Sequence, residues 1–175
     1  MRHKVWMAVS SLALTVACGG LPAQESGMTA TINRVTAQGT AEQVGSVSFR
    51  DSEYGLIVEP DLRGLPPGPA GLHVHQNPNC GPSNGTPGGA AGSHYDPDNA
   101  GEHRGPYAEG HLGDLPNLIV EQDGTATLPV LAPRVELSDL EGRALMIHAS
   151  KDSYHEHADH NHGAGGARAY CGIIR

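Results

Sequence analysis

Short runs along this chain alternate apolar with polar residues at a period of two, and each such run predicts a β-strand. The clearest are Thr29 to Thr36, Gly45 to Arg50, Tyr54 to Glu59, Gly71 to His75, Leu118 to Gln122, Thr125 to Val130, Ala144 to His148 and Ala169 to Ile174. In Val44-Gly-Ser-Val-Ser-Phe, for example, Val47 and Phe49 fall on one face. Gly, Pro, Asp and Asn punctuate the gaps, as turns require. No segment keeps a helical period over three turns. Short strands at this density predict an all-β antiparallel sandwich or barrel.

Two long stretches break the pattern. Gln76 to Asn117 is rich in Gly, Pro and Asn, and Ala149 to Arg168 is polar and rich in histidine. Structureless loops of this length are uncommon in a compact domain unless they carry function or are disordered. With 24 Gly, 13 Pro and a single Phe, the core has to come mainly from Val, Ile and Leu.

The N-terminus reads as a targeting segment. Arg2 and Lys4 precede the apolar run Val5 to Ala17, too short to span a bilayer, so residues 1–17 are expected to be a secretory signal, 18–27 a linker and 28–175 the domain. The run ends Leu14-Thr-Val-Ala-Cys18-Gly, similar to a bacterial lipobox with Thr15 where leucine is usual, which makes Cys18 a lipidation candidate. The other reading is a signal cut near Ala23, with Cys18 discarded. Lipidation of Cys18 leaves Cys80 and Cys171 as an even pair, and a disulfide between them would stabilise an exported domain by about 4 kcal/mol. A net charge of −8 argues against nucleic acid as a partner, and any anionic substrate would need a local positive patch.

The candidate chemistry lies in the histidines. His73 and His75 are two apart on a predicted strand, so both point to one face and can share an ion. Alone, that pair is as readily a surface feature, but four more potential ligands reverse the balance. His94, His103, His111 and Asp114 form a three-imidazole, one-carboxylate set that suits tetrahedral zinc. His73, His75 and His148 add three imidazoles that suit copper or zinc. Seven ligands for two four-coordinate ions require one to be shared.

The segments Gly71-Leu-His73-Val-His75-Gln-Asn-Pro-Asn-Cys80, Gly92-Ser-His94-Tyr-Asp-Pro, His103-Arg-Gly-Pro, Gly110-His111-Leu-Gly-Asp114-Leu-Pro-Asn, Leu145-Met-Ile-His148 and Gly166-Ala-Arg168-Ala-Tyr-Cys171-Gly stand in that order. Together they resemble the copper,zinc superoxide dismutases of the bacterial exported type, over almost the whole mature chain. The resemblance implies an eight-stranded antiparallel Greek-key β-barrel and a Cys80–Cys171 disulfide. It implies copper at His73, His75, His94 and His148, and zinc at His94, His103, His111 and Asp114, with His94 shared as an imidazolate. Asp152 matches a carboxylate that hydrogen-bonds ligands of both metals, and Arg168 the arginine that docks superoxide beside copper. The implied activity is dismutation of superoxide to dioxygen and hydrogen peroxide in the periplasm or cell envelope, with membrane attachment through lipidated Cys18 and a monomer or homodimer as the assembly.

The chain departs from the family pattern in a few places. Glu102 stands where lysine is frequent, Asp98 adds negative charge, and Arg104, Lys151 and Arg168 are left to attract an anion. Ser93 and Tyr170 replace smaller or more rigid residues. The tract His155-Glu-His157-Ala-Asp-His160-Asn-His162 is an addition, read as a solvated loop with metal recruitment as the alternative. A non-enzymatic copper- and zinc-buffering lipoprotein is the competing function, and Arg168 argues against it because buffering needs no anion-docking guanidinium.

Overall fold

The structure, a computed structural model, describes residues 27–155 and 165–175. The signal segment with Cys18, and His157, His160 and His162 of the added tract, lie outside the described residues. The strands are β1 (Met28–Thr36), β2 (Gly39–Ser52), β3 (Gly55–Leu62), β4 (Gly68–Ala70), β5 (Leu72–His75), β6 (Leu118–Val120), β7 (Val130–Ala132), β8 (Ala144–His148) and β9 (Arg168–Ile173). Two short 3-10 turns, Gly89–Ala91 and Leu137–Leu140, are the only helical elements among the described residues.

Seven strands pair antiparallel in the order β5-β8-β9-β1-β2-β3-β7, and β4 pairs with β6. β4 and β5 are one run interrupted at Gly71, which crosses from the small sheet to the large one, so the path has the eight legs expected of the barrel. At the other end, backbone pairing of Leu62 with Ala126 joins β3 to the segment after β6. β7 returns past the β4–β6 ribbon to pair with β3, and β8 crosses back to pair with β5, which is the Greek-key connection.

Period-two patterning fills the interior. Ala30 and Ile32 of β1, Val47 and Phe49 of β2, and Leu56, Val58 and Leu62 of β3 are all buried in one cluster. Each fully buried Leu, Ile or Phe contributes about 1.5–3 kcal/mol relative to exposure. Both hairpins are closed by hydroxyls: Thr36 Oγ1 donates to Gly39 O, and Ser52 Oγ to Gly55 O. Gly45 sits where the β1–β2 register shifts; its φ is +140° and a Cβ there would meet Asp61 O at 2.0 Å.

Two expected strands differ markedly in their bounds, and one strand is unforeseen. β2 begins at Gly39 rather than Gly45, because its polar first half pairs with β1 and is tied by Arg34 to Glu42 at 2.5 Å. The strand expected over Thr125 to Val130 shrinks to the Ala126 bridge, and β7 lies at Val130–Ala132. Pro129 has no N–H to give a ladder, and Thr127 and Leu128 are exposed. β4, unforeseen because Gly68 and Pro69 read as a turn, survives as one edge of a two-stranded ribbon, where proline is tolerated.

Candidate metal centre

The site lies on the outer face of the sheet at β5. Leu72 and Val74 point into the core, so the period of two sends His73 and His75 the other way. Both are nonetheless buried, because the long segment after β5 folds back over them. On one side β5 pairs with β8, which carries His148 at its end. On its other side Val74 O accepts from Tyr95 N–H at 2.8 Å, Val74 N–H donates to Gly113 O at 2.9 Å, and Gly113 N–H donates to Tyr95 O at 2.8 Å. These bonds set His94 beside His75 and Asp114 beside His73. The junction requires glycine at 113, where a Cβ would meet Val74 O at 2.3 Å.

All seven expected ligands converge here. The His94 ring is central, with centroids 4.0 Å from His73, 5.0 Å from His75, 5.4 Å from both His103 and His111, and 6.1 Å from His148. The donor atoms of His73, His75, His94 and His148 lie within 4.8 Å of one another. Those of His73, His94, His103 and Asp114 do so as well, with His73 in the place expected of His111. His111 stands outside that second group, but its Nδ1 lies 3.5 Å from Asp114 Oδ1.

Each brace is an acceptor, which fixes the tautomer of its ring. His73 Nε2 donates to Asp152 Oδ2 at 2.7 Å and His103 Nε2 to Asp152 Oδ1 at 2.8 Å. His75 Nδ1 donates to Gly92 O at 2.9 Å and His148 Nδ1 to Gly166 O at 2.8 Å. The opposite nitrogens, His73 Nδ1, His103 Nδ1, His75 Nε2 and His148 Nε2, are buried without a hydrogen bond, as are His111 Nδ1 and Asp114 Oδ2. His103 Nδ1 and Asp114 Oδ2 are 2.9 Å apart yet out of line for a hydrogen bond. Buried polar atoms left unpaired are costly, and six aimed at two points fit two cations.

The titration of the rings divides them in two. Burial holds His73 and His75 well below the ordinary histidine value, brings His148 down to about 4, and lowers His94 against the opposing pull of Asp114. These rings keep a lone pair at neutral pH. Burial also opposes charge on His103, but Asp114 and Asp152 outweigh it and raise that ring to about 9. Asp114, 3.5 Å from its Nδ1, likewise raises His111. Burial disfavours both carboxylates, yet their histidine partners hold Asp114 and Asp152 well below the usual carboxylate range.

Arg168 begins β9 opposite His148 and is half-buried. Its Nη1 donates to Gly88 O at 2.7 Å and Nη2 to Gly92 O at 2.6 Å, the second carbonyl being the one that braces His75. Burial draws its pKa below the ordinary guanidinium value, and its charge in turn lowers His75 and His148. The Cys80–Cys171 disulfide is formed, tying the covering segment to β9 with Cα atoms 5.7 Å apart. Arg104 is paired with Glu102, so its charge is compensated locally. Tyr170, whose accommodation the sequence leaves unexplained, is buried beside Ile147, and burial raises its hydroxyl pKa.

Residues 43–174 match the family model for copper/zinc superoxide dismutase (SODC). The chain belongs to that family. The superoxide dismutase [Cu-Zn] of Escherichia coli (strain K12) is 40% identical over 173 residues, covering 96% of this chain and 98% of its own. The solved Cu/Zn superoxide dismutase from Brucella abortus superposes with a TM-score of 0.80 at 37% identity, over 86% of this chain and all of that one. The solution structure of the monomeric copper, zinc superoxide dismutase from Salmonella enterica gives 0.76 at 43% identity, again over 86% of this chain and 100% of that one. Two superoxide anions and two protons are converted to dioxygen and hydrogen peroxide, and copper and zinc are the cofactors of this dismutase.

Some residues that hold the dismutase site together are not evident from the sequence. Asn117 brackets the backbone of Asp152, accepting from its N–H at 2.8 Å and donating to its carbonyl at 3.0 Å. Tyr154 donates its N–H to Asp152 Oδ1 at 2.8 Å, and its hydroxyl accepts from Asn117 N–H at 2.7 Å. The only signal for either is proximity: Asn117 closes a ligand motif and Tyr154 follows Asp152 by two.

Proposed function

We propose that His73, His75, His94 and His148 hold copper, that His94, His103, His111 and Asp114 hold zinc, and that Arg168 docks superoxide. The unpaired nitrogen on each braced ring carries this reading, since a lone pair facing away from its brace is what a cation needs. Copper, when bound, supplies the one-electron couple that dismutation requires, and zinc, which has no redox chemistry, orders the covering segment. His94 reaches both groups and is the residue on which a proton can be held and released between half-reactions. Asp152 fixes one ring from each group. The guanidinium of Arg168, with two donors spent on carbonyls, is oriented and keeps its charge for a small anion.

The same reading places the enzyme in the cell envelope, with residues 1–17 as export signal and Cys18 as lipid anchor. A formed disulfide suits an oxidising compartment, and the Escherichia coli relative aligns over 96% of this chain. Mass spectrometry of the membrane fraction distinguishes a diacylated Cys18 from a chain cut near Ala23.

The test is dismutation by the purified mature domain after loading, with metal stoichiometry and an Arg168→Ala control. Copper and zinc near one each per chain, with fast turnover that falls in the control, are the expected result, since the guanidinium acts on the reacting anion. Full loading with no activity above free copper would overturn the catalytic assignment in favour of metal buffering.

A further inference from the structure

Arg143, the residue before β8, makes contacts that neither metal group explains. Its guanidinium carbon lies 3.4 Å from the centroid of the Tyr95 ring, well inside the roughly 6 Å over which a cation is attracted to an aromatic face. Its Nε donates to Asp139 O at 2.6 Å in the preceding 3-10 turn, and Nη1 reaches Gln76 O at 3.4 Å. The guanidinium is therefore anchored to the barrel and placed over a ring that belongs to the covering segment.

That ring has an unusual place in the chain path. Tyr95 follows His94 directly, and its backbone bonds both Val74, between His73 and His75, and Gly113, between His111 and Asp114. Three of the ligand-bearing stretches thus meet at one residue. These backbone bonds, with Gln76 N–H to Ser93 O and Leu115 N–H to Leu72 O at 3.1 Å on either side, fix the separation of the stretches, and the contact on the Tyr95 ring adds a side-chain tie to the barrel. Gln76 follows His75, so the same guanidinium touches the neighbours of two ligands.

We propose that Arg143 is a positioning residue for dismutation, stacking on Tyr95 to fix the junction from which the shared ring of His94 projects. The inference rests on the reading of His94 as the ligand common to both metals. The attraction of a guanidinium for a ring face resides in the ring and not in the hydroxyl, so Phe should replace Tyr95 and Leu should not.

The first arm is amide exchange in the metal-stripped protein, comparing Arg143→Met, Tyr95→Phe and Tyr95→Leu. Arg143→Met is expected to speed exchange of the Gly113 amide by about two- to thirtyfold relative to core amides such as Val47, the range that a cation–π contact spans. Tyr95→Leu should match it, Tyr95→Phe should match the parent, and the double variant should add nothing. The second arm is release of copper from the loaded enzyme to a chelator, expected to quicken in the same variants and no others. Unchanged Gly113 exchange in Arg143→Met, equal acceleration of the core amides, or failure of Tyr95→Phe would overturn the proposal. If the parent itself loads copper and zinc yet does not dismutate, the catalytic reading falls, while the exchange arm still decides what Arg143 does to the junction.

Discussion

Replacing Asp152 by asparagine removes one charge and one acceptor oxygen and leaves the side chain's shape nearly unchanged. The two carboxylate oxygens take three donors, His73 Nε2 at 2.7 Å, His103 Nε2 at 2.8 Å and Tyr154 N–H at 2.8 Å, and the side chain is fully buried. An amide offers one oxygen, so its NH2 must face an imidazole N–H, donor against donor. A hydrogen bond to a charged group is worth about 1.5–3 kcal/mol, and an abandoned buried donor costs about 1–3 kcal/mol. The ring can escape that cost by moving its proton to Nδ1, the nitrogen proposed to face the metal. Loss of such a brace lowers metal affinity about 10- to 100-fold, or roughly 1.4–2.7 kcal/mol, which agrees with the value of the single bond removed. Asn117 still brackets the backbone at position 152, so the variant should fold. Competition against a chelator, run separately for copper and zinc on Asp152→Asn, reads the effect. Affinities for both metals within twofold of the parent in a folded variant would refute the claim that this carboxylate selects the ring tautomers.

Two further outcomes follow from the geometry. The Cys80–Cys171 bridge spans a sequence separation of 91, so its reduction should lower stability by about 4–5 kcal/mol in the chain-entropy account; urea unfolding with and without reductant measures this, and a difference under about 1 kcal/mol would show that the open chain retains the loop. The metal-stripped protein should be most stable near pH 6.5. Burial lowers His148 from the ordinary 6.5 to about 4, so as pH falls through that window the unfolded chain takes a proton that the fold refuses, and about 3 kcal/mol is lost. In the other direction, the raised His103 contributes stability that is complete below 6.5 and lost as pH rises through about 9. Denaturant midpoints of stripped protein from pH 4 to 9 check both limbs, and a flat profile below 6.5 would contradict the burial of His148.

The proposed ligand set is legible in the sequence for unequal reasons. His73 and His75 follow from strand periodicity alone, because two residues apart on one strand is a geometric statement. His94, His103, His111 and Asp114 stand in a segment with no period, and only their order alongside the other motifs connects them to the site. The barrel is legible from alternation, but its boundaries shift wherever cross-strand pairing outweighs local composition, as at Gly39–Val44, or where proline removes a donor, as at Pro129. β4 is hidden by the same residue type that marks a turn elsewhere. Arg143 and Tyr95 are separated by a third loop and two strands, and nothing in either local sequence announces that they meet.

What sequence could not carry is the half of the bracing that is done by backbone carbonyls. Gly92 O and Gly166 O have no residue signature, yet they decide which nitrogen of His75 and His148 bears hydrogen. A carbonyl or a carboxylate can only accept, so the braced nitrogen must donate and the other must keep its lone pair. The fold therefore selects which nitrogen of four rings keeps its lone pair, the one proposed to face a metal, by placing acceptors behind them. Gly92 O accepts from His75 and from Arg168 together, using both of its lone pairs. In the proposed assignment the guanidinium that docks superoxide and a ring that holds copper share this acceptor, so a shift of Gly92 O would move both together.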